Sequence, residues 1–132
     1  MNQINQNVMI NRELIDPKSI VVVGGSNNVH KPGGRLVRNL LDGKYKGELY
    51  VVNAREDDVQ GLKSYHSVHD IPDTEMAIVS IPGPSCPEAI DVLANQKNVK
   101  AFIVVSAGFG EETHEGALLE DQMLATVNEA GA

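Results

Sequence analysis

The sequence has almost no cysteine, no tryptophan and no excess of positive charge. Its single cysteine, Cys86, cannot form an internal disulfide, so we expect a protein of the reducing cytoplasm. The 11 basic and 18 acidic residues give a net charge of -7, which argues against nucleic acids and membrane surfaces as partners. Long apolar runs are also missing: none approaches the ~20 residues of a membrane span, and the polar first residues do not resemble a signal peptide.

What the sequence does contain is the composition of one globular domain, with 132 residues of which 42% are hydrophobic. Four short runs rich in Val and Ile are typical of buried strands, at residues 20–23, 49–52, 76–81 and 102–105. Helical patterns separate them, and near-continuous apolar strands are expected where helices cover both faces of a parallel sheet. The sequence therefore predicts an α/β fold, a Rossmann-like three-layer domain with a mostly parallel, doubly wound sheet.

The helices predicted between these strands have recognisable faces and ends. The first should end at Gly43, as a C′ residue, and carries an apolar stripe of Leu36, Val37, Leu40 and Leu41. Ser85 and Glu88 have the spacing of a capping box before a second helix, whose predicted buried face comprises Ala89, Ile90, Val92 and Leu93. A last helix is expected to end near Gly131 and to bury Leu118, Leu119, Met123, Leu124 and Val127.

Other regions have weaker patterns. Residues 1–13, which begin with an Asn- and Gln-rich run, are interpreted as an N-terminal arm, and the domain is expected to occupy residues 14–132. Residues 56–75 are less regular, and "DIPDTE" is interpreted as a turn that leads into the third strand. The sequence stops directly after a helix, where a doubly wound sheet normally continues with another strand. We therefore favour a domain cut from a longer protein over a complete small domain.

Ligands of such sheets bind beyond the carboxyl ends of the strands, near the point where the strand order reverses. Four loops leave those ends, at residues 24–34, 53–61, 82–87 and 106–115. The first fits neither best-known glycine signature: a dinucleotide fingerprint needs Gly in place of Ser26 and Val29, and the Gly-Lys-Ser/Thr run of a P-loop is absent. What remains at the predicted helix start is a phosphate-binding loop or simply a tight turn, made by Gly24, Gly25, Ser26, Lys31, Gly33 and Gly34.

The residues of the second loop indicate which nucleotide the site would bind. An NAD site usually places Asp or Glu at the end of the second strand to bind the ribose diol, whereas here the strand ends in "VVNAR". The guanidinium of Arg55 suits a phosphate on the ribose, which both NADP and coenzyme A carry. A surface arginine without a ligand is the alternative for this residue taken alone.

Four segments together resemble a known family. "DPKSIVVVGGS", "GELYVVNAR", "SYHSVHDIPDTEMAIVSIP" and "VKAFIVVSAGFGEETHEGALLE" are similar to the N-terminal coenzyme A-binding domain of NDP-forming acyl-CoA synthetases. These are the ADP-forming acetate–CoA ligases, related to the α subunit of succinyl-CoA synthetase. The resemblance runs from about Leu14 to the end of the sequence, and four separate loops match in the same order.

The resemblance implies that coenzyme A is the cofactor and assigns its binding residues. The first loop, which would contact CoA phosphate, supplies Gly24, Gly25, Ser26, Lys31 and Gly33. The second, near the adenosine and its 3′-phosphate, supplies Val52, Asn53 and Arg55. A segment along the pantetheine path supplies Ile81, Pro82 and Gly83, and the loop at the far end of the cofactor supplies Ser106, Ala107, Gly108 and Phe109. Three positions depart from the family pattern, which usually has Ala at Gly25, Pro at Ala54 and a simpler Pro-Ala at Gly83-Pro84.

The expected function follows from the same resemblance. Family enzymes pass phosphate through a histidine in a following domain, and none of His30, His66, His69 or His114 matches that position. We therefore expect no catalytic and no metal-ligating residue here, and we expect this domain to present CoA for thioester formation while the phosphohistidine and ATP-grasp parts of the synthetase do the remaining chemistry. The alternatives are a stand-alone CoA-binding regulatory protein and an NADP-binding oxidoreductase domain.

Overall fold

The computed structural model describes residues 12–105 and 125–127. Its three named helices are α1 (Arg12–Ile15), α2 (Pro32–Asp42) and α3 (Cys86–Gln96). Its strands are β1 (Ser19–Val23), β2 (Glu48–Val52), β3 (Asp58–Val59), β4 (Leu62–Tyr65), β5 (Met76–Val79) and β6 (Ala101–Val104). Single 3₁₀ turns occupy Val68–Asp70 and Gly83–Ser85, and residues 125–127 are helical. In this part of the chain no helix is both long enough and apolar enough to cross a bilayer.

The six strands form one sheet in the order β3-β4-β2-β1-β5-β6. All neighbours are parallel except β3 and β4, which run antiparallel. At the centre, Val23 of β1 lies opposite both Val52 of β2 and Val79 of β5, so the three strands end at the same edge. The predicted Rossmann-like α/β fold is confirmed.

A helix covers each face of the sheet, and alternate side chains of β1 face opposite ways. Val21 and Val23 belong to the cluster that α3 covers, while Ile20 and Val22 belong to the cluster that α2 covers. Both predicted helix faces are confirmed: in α3 the four predicted residues are buried, and in α2 Val37 is buried with its three leucines packed around it. Because helices cover both faces of the sheet, the central strands carry apolar residues on both faces.

A β-hairpin lies in the irregular stretch of residues 56–75, where the sequence predicted only a turn before the third strand. Strands β3 and β4 are joined by Gln60 and Gly61, both of which have positive φ, 51° and 89°. Two such residues match the twist of a tight hairpin turn. Because β3 has two residues and β4 has four, neither is long enough to give a readable alternation.

Two predicted helix ends differ from the structure. Ser85 makes no capping hydrogen bond with its side chain, because the preceding 3₁₀ turn already holds it in a helical conformation (φ −88°, ψ −12°). Gly43 is also helical (φ −77°), and the left-handed C′ residue of α2 is Lys44 (φ 56°). Hydrogen bonds from Lys44 N to Leu41 O and from Tyr45 N to Leu40 O complete a Schellman motif.

The predicted arm boundary falls inside α1, which an ion pair fastens to the sheet. The Arg12 guanidinium donates to both carboxylate oxygens of Glu75, at 3.0 and 2.7 Å, and the Lys18 amide donates to the same carboxylate at 2.8 Å. Val127 packs against the core under α3. The rest of the arm and the other predicted positions of the last helix, Leu118, Leu119, Met123, Leu124 and Gly131, lie outside the described residues.

Glu75 should make the stability of the domain depend on pH. The Arg12 hydrogen bond, followed by that of the Lys18 amide, lowers the pKa of Glu75 below its ordinary value of 4.5. The stabilisation is therefore present above that value and is lost as the pH falls through the lower, folded-state pKa. We expect Glu75→Gln to melt below wild type at pH 7 and the difference to shrink toward about pH 3, in thermal scans by circular dichroism.

The control for Glu75 is Glu48→Gln, an exposed glutamate at the same edge of the sheet. Glu48 makes no ion pair with the described residues, so its loss should not change the melting temperature in this pH-dependent way. A gap between wild type and Glu75→Gln that stays constant from pH 7 to about pH 3 would contradict the ion-pair explanation.

Candidate functional site

The candidate site lies where the strand order reverses, between β1 and β5. The chain leaves β1 for α2 and then β2 on one side, and it leaves β5 for α3 and then β6 on the other. The loops that follow β1 and β5 therefore diverge from a shared edge and leave a crevice, the usual ligand position in open parallel sheets. Hydrogen bonds from Gly24 N to Val52 O and from Ser80 N to Val23 O, both 2.8 Å, hold the loop starts together.

Close backbone contact requires glycine at two of the predicted CoA-binding positions, Gly24 and Gly33, as it does at Gly34, where a Cβ would collide with the carbonyl oxygen of Asn28. Gly24 has φ +92°, and a Cβ there would collide with the carbonyl oxygen of Ser80 and lie 2.8 Å from its carbon. A Cβ on Gly33 would collide with the carbonyl oxygen of Gly24. Three chain segments thus touch backbone to backbone: the end of β1, the end of β5 and the first turn of α2. This packing alone accounts for both glycines, so their contact with a ligand stays a prediction.

Gly25 is buried by side chains on its own face of the sheet. A Cβ there would lie 2.5 Å from Cγ1 of Val51 and 3.2 Å from Cγ2 of Val37. Both valines are fully buried and β-branched, so they have little freedom to turn away. Glycine in place of the family's usual alanine therefore fits the presence of these two valines.

The backbone amides of the first loop divide into two groups. The amides of Gly24, Asn28, His30 and Lys31 already donate hydrogen bonds, to Val52 O, Ser26 Oγ, Asn28 Oδ1 and Asn28 O respectively. No acceptor among the described residues contacts the remaining ones, those of Gly25, Ser26, Asn27, Val29, Gly33 and Gly34. The last two lie in the first turn of α2, where the helix dipole favours an anion.

Lys31 occupies the N-cap position of α2 in an extended conformation (φ −85°, ψ 150°). Its side chain is exposed and forms no ion pair with the described residues. A cation at this position can add its charge to the positive end of the helix dipole. His30 is also exposed, as expected for a loop histidine.

Asn53 joins the second loop to the first. Its Nδ2 donates to Gly25 O at 2.8 Å, and its Oδ1 accepts from the amides of Arg55 and Glu56 at 2.8 and 3.0 Å. The amide side chain thus turns the chain after β2 and places the backbone of Arg55 beside the glycine loop. Arg55 itself is exposed and forms no ion pair with the described residues, which leaves its guanidinium available to a ligand. Val52 is buried and contributes its carbonyl group to Gly24.

The third loop adjoins the first across the reversal point. Ile81 is half-buried against the core, with Cγ2 3.0 Å from the position that a Cβ of Gly24 would take. Pro82 is exposed, and Gly83 is buried at the start of the 3₁₀ turn. The thiol of Cys86 is fully buried and faces the carbonyl oxygens of Ile81 and Pro82 at 3.6 and 3.7 Å.

The fourth predicted loop lies outside the described residues, and with it Ser106, Ala107, Gly108 and Phe109. The same is true of His114. The last described residue before this loop, Val105, donates its amide to Val79 O at 2.8 Å and so follows the end of β5. The chain therefore enters the fourth loop at the edge of the sheet where the other three begin.

The hairpin that the sequence did not reveal contributes residues to the same region. Nε2 of Gln60 donates to both Ser26 O and Gly34 O at 2.9 Å. The backbone amide of Gln60 donates to Oδ1 of Asn27 at 2.7 Å, and Nδ2 of Asn27 donates to Asp58 O at 2.9 Å. A "QG" pair between short apolar positions is the only local signal of this turn.

A profile described as the CoA binding domain matches residues 18–132 of the chain. The chain belongs to this family. The predicted cofactor, coenzyme A, is confirmed at the level of the family. The alternative that the sequence left open, an NADP-binding domain, is not supported by this match. The individual contacts of this CoA-binding domain with its ligand stay predictions.

Relatives of this CoA-binding domain include ADP-forming enzymes. Acetate–CoA ligase [ADP-forming] II of Archaeoglobus fulgidus is 40% identical over 121 residues, which are 91% of this chain and 18% of the relative. The α subunit of acetate–CoA ligase [ADP-forming] I of Pyrococcus furiosus is 36% identical over 123 residues, 89% of this chain and 26% of the relative. The chain thus spans about a quarter or less of these relatives.

Solved structures give the same result for the fold. The apo dinucleotide-forming acetyl-coenzyme A synthetase 1 of Ca. Korarchaeum cryptofilum superposes with a TM-score of 0.82 at 33% identity, covering 91% of this chain and 26% of that one. A conserved hypothetical protein of Pyrococcus furiosus superposes with a TM-score of 0.67 at 24% identity, covering 87% of this chain and 89% of that one. The second likeness shows the fold alone, in a chain of about this size.

Proposed function

We propose that this CoA-binding domain is part of an NDP-forming acyl-CoA synthetase and that it holds CoA for thioester formation. The CoA thiol attacks the carbonyl carbon of an acyl phosphate, the carbon–oxygen bond to phosphate breaks, and inorganic phosphate leaves with the thioester formed. In the opposite direction phosphate is captured and passed to NDP. The observation that carries the proposal is the convergence of a glycine loop and the Asn53–Arg55 loop at the reversal point of a sheet in this family.

Different parts of the site would bind different parts of the cofactor. The amides at the start of α2 that have no described acceptor, with the cation of Lys31, suit the phosphates that link the two halves of CoA. The guanidinium of Arg55 suits the 3′-phosphate because its planar fork binds phosphate oxygens in pairs. Ile81, Pro82 and Gly83 would supply an apolar wall for the pantetheine; the predicted contacts of Ser106, Ala107, Gly108 and Phe109 with the far end of the cofactor lie outside the described residues.

The remaining chemistry is assigned to other parts of the synthetase. Among the described residues the histidine closest to a carboxylate is His66, whose Nε2 lies 2.8 Å from Oδ1 of Asp57. Both side chains are more than half exposed, with His66 directly after β4 and Asp57 directly before β3, so nothing there excludes water from a reaction. Phosphohistidine and ATP-grasp parts would provide the acyl phosphate and exchange phosphate with the nucleotide.

A thermal-shift titration tests the proposal. At a CoA concentration of about 100 times the Kd, binding to the folded state adds about 2.7 kcal/mol to the free energy of unfolding. For a chain of this size the melting temperature should then rise by roughly 5–10 °C. Dephospho-CoA should raise it less, and pantetheine, which lacks the phosphates, should raise it least.

The control ligand is NADP, which also carries a ribose phosphate but lacks pantetheine. An NADP shift as large as that of CoA would contradict the assignment. So would the absence of any shift at millimolar CoA, since the proposed amides and cations would then bind no phosphate of the cofactor.

A stand-alone CoA-binding protein is a second candidate. It is favoured by the hypothetical protein of Pyrococcus furiosus, most of whose chain consists of this fold. A stop codon directly after codon 132 of the gene would support this candidate, and an open reading frame that continues into further domains would support the synthetase.

A further inference from the structure

The side chain of Gln60 connects the two ends of the first loop. Its Nε2 donates to Ser26 O and to Gly34 O, both at 2.9 Å. Ser26 follows the glycine pair directly, and Gly34 lies in the first turn of α2. One amide group therefore fixes the separation between the start of the loop and the start of the helix.

The backbone of the hairpin is attached to the same loop. The backbone amide of Gln60 donates to Oδ1 of Asn27 at 2.7 Å, and Nδ2 of Asn27 donates back to Asp58 O at 2.9 Å. Because Gln60 has a left-handed conformation (φ 51°), the turn brings both its backbone amide and its side chain to the loop. The β3–β4 hairpin thus acts as a brace on a loop that consists mainly of glycine and polar residues.

This brace determines where a free amide points. In a planar trans peptide the C=O and N–H groups point in opposite directions. Since the Ser26 carbonyl group points toward Gln60, the Asn27 amide points away from the hairpin, and no described residue accepts a hydrogen bond from it. The second bond, to Gly34 O, holds the helix turn whose Gly33 and Gly34 amides also have no described acceptor.

We propose that Gln60 is a positioning residue for the phosphates that link the two halves of coenzyme A, an inference that rests on the proposed function. Gln60 acts through Ser26 and Gly34 and does not itself contact the ligand. Its effect differs from that of Arg55, because the linking phosphates are present in both CoA and dephospho-CoA. Loss of the Gln60 contacts should therefore weaken both ligands by the same factor.

The test is Gln60→Glu, which keeps the shape of the side chain and removes the two donated hydrogen bonds. By isothermal titration calorimetry at about pH 7.5, we expect Kd to rise about tenfold or more, equally for CoA and dephospho-CoA. Burial and the two facing carbonyl oxygens should raise the pKa of the introduced carboxyl group above its ordinary value. As the pH falls, this group becomes protonated and can again donate one hydrogen bond, so the affinity should recover relative to wild type. A purely structural defect would not produce this pH profile.

Two variants serve as controls for charge and for stability. Gln96→Glu makes the same change at an exposed position at the end of α3. Ile90→Val removes one methyl group from the core and lowers stability without touching the loop. Both should bind CoA with the affinity of wild type, and the amide NMR signals of Asn27 and Gly34 should shift in Gln60→Glu alone.

The possible results of these titrations distinguish failure of the proposed function from failure of the inference about Gln60. If the wild-type domain binds no CoA, the proposed function fails and this inference fails with it. If wild type binds and Gln60→Glu binds as tightly as Gln96→Glu, the inference alone is overturned. Should Gln60→Glu fail to fold, Asn27→Ala breaks the brace from the other side, and the same equal loss for both ligands is expected; unchanged affinity in that variant would overturn the inference.

Discussion

Gly24→Ala should be the most destabilising single substitution in the loop, with an expected loss of roughly 4 kcal/mol in the free energy of unfolding. Two effects add. Gly24 has φ +92°, which costs an L-residue strain energy, and its Cβ would collide with the backbone carbonyl group of Ser80. A carbonyl group at the end of β5 cannot rotate aside as a side chain can, so β1 and β5 would have to separate where they hold the site. The measurement is urea unfolding followed by circular dichroism.

Gly61→Ala is the matched control for Gly24→Ala. Gly61 has nearly the same φ, +89°, but a Cβ there would have nothing within 4 Å. This substitution should cost only the conformational strain, about 1 kcal/mol. Equal losses in the two variants would mean that strain, and not the contact between the two strand ends, makes Gly24 necessary.

The tight turn at Gly24 could be predicted from the sequence, but the reason that this position requires glycine could not. A hydrophobic run followed by a glycine pair and then by an apolar helical stripe predicts a strand, a tight turn and a helix from local pattern alone. That Gly24 touches Ser80 depends on β1 lying next to β5, residues distant in the sequence that only the sheet order brings together.

The same distinction applies to the fold. Strands β1, β2, β5 and β6 were predictable because each is apolar on both faces, and alternation of such runs with helices favours a parallel sheet. The β3–β4 hairpin was not predictable in this way. Its short strands have no period, and what fixes the hairpin is hydrogen bonding from Gln60 and Asn27 to backbone groups of another segment.

Side chains that bond to backbone explain most of what the sequence did not reveal about the candidate site. Asn53 was predicted through its family motif as a residue near the adenosine, but its observed contacts are with Gly25 O and the amides of Arg55 and Glu56. An Asn can donate and accept in many directions, so its partners follow from tertiary position. The role predicted for Arg55 does not depend on such tertiary contacts, because a guanidinium at the end of the second strand suits a phosphate whatever surrounds it; that role stays a prediction.

Arg55→Ala should separate the two forms of the cofactor. We expect Kd for CoA to rise about tenfold or more, and Kd for dephospho-CoA, which lacks the 3′-phosphate, to change little. The reason is that Arg55 is exposed beside the glycine loop and has no described ion-pair partner to give up on binding a phosphate. Isothermal titration calorimetry with both ligands measures the difference, which salt should reduce because the contact is partly solvated.

Lys46→Ala is the control for the loss of one positive charge. Lys46 is exposed before β2, at the opposite edge of the sheet from Arg55, so its removal changes the net charge equally without changing the site. If Arg55→Ala weakened CoA and dephospho-CoA by the same factor, Arg55 would not contact the 3′-phosphate, and its effect would resemble that expected for Gln60→Glu. If Lys46→Ala weakened CoA as much as Arg55→Ala did, only the overall charge would matter. Discrimination lost in Arg55→Ala and retained in Gln60→Glu would instead assign the 3′-phosphate to the arginine and the linking phosphates to the braced loop.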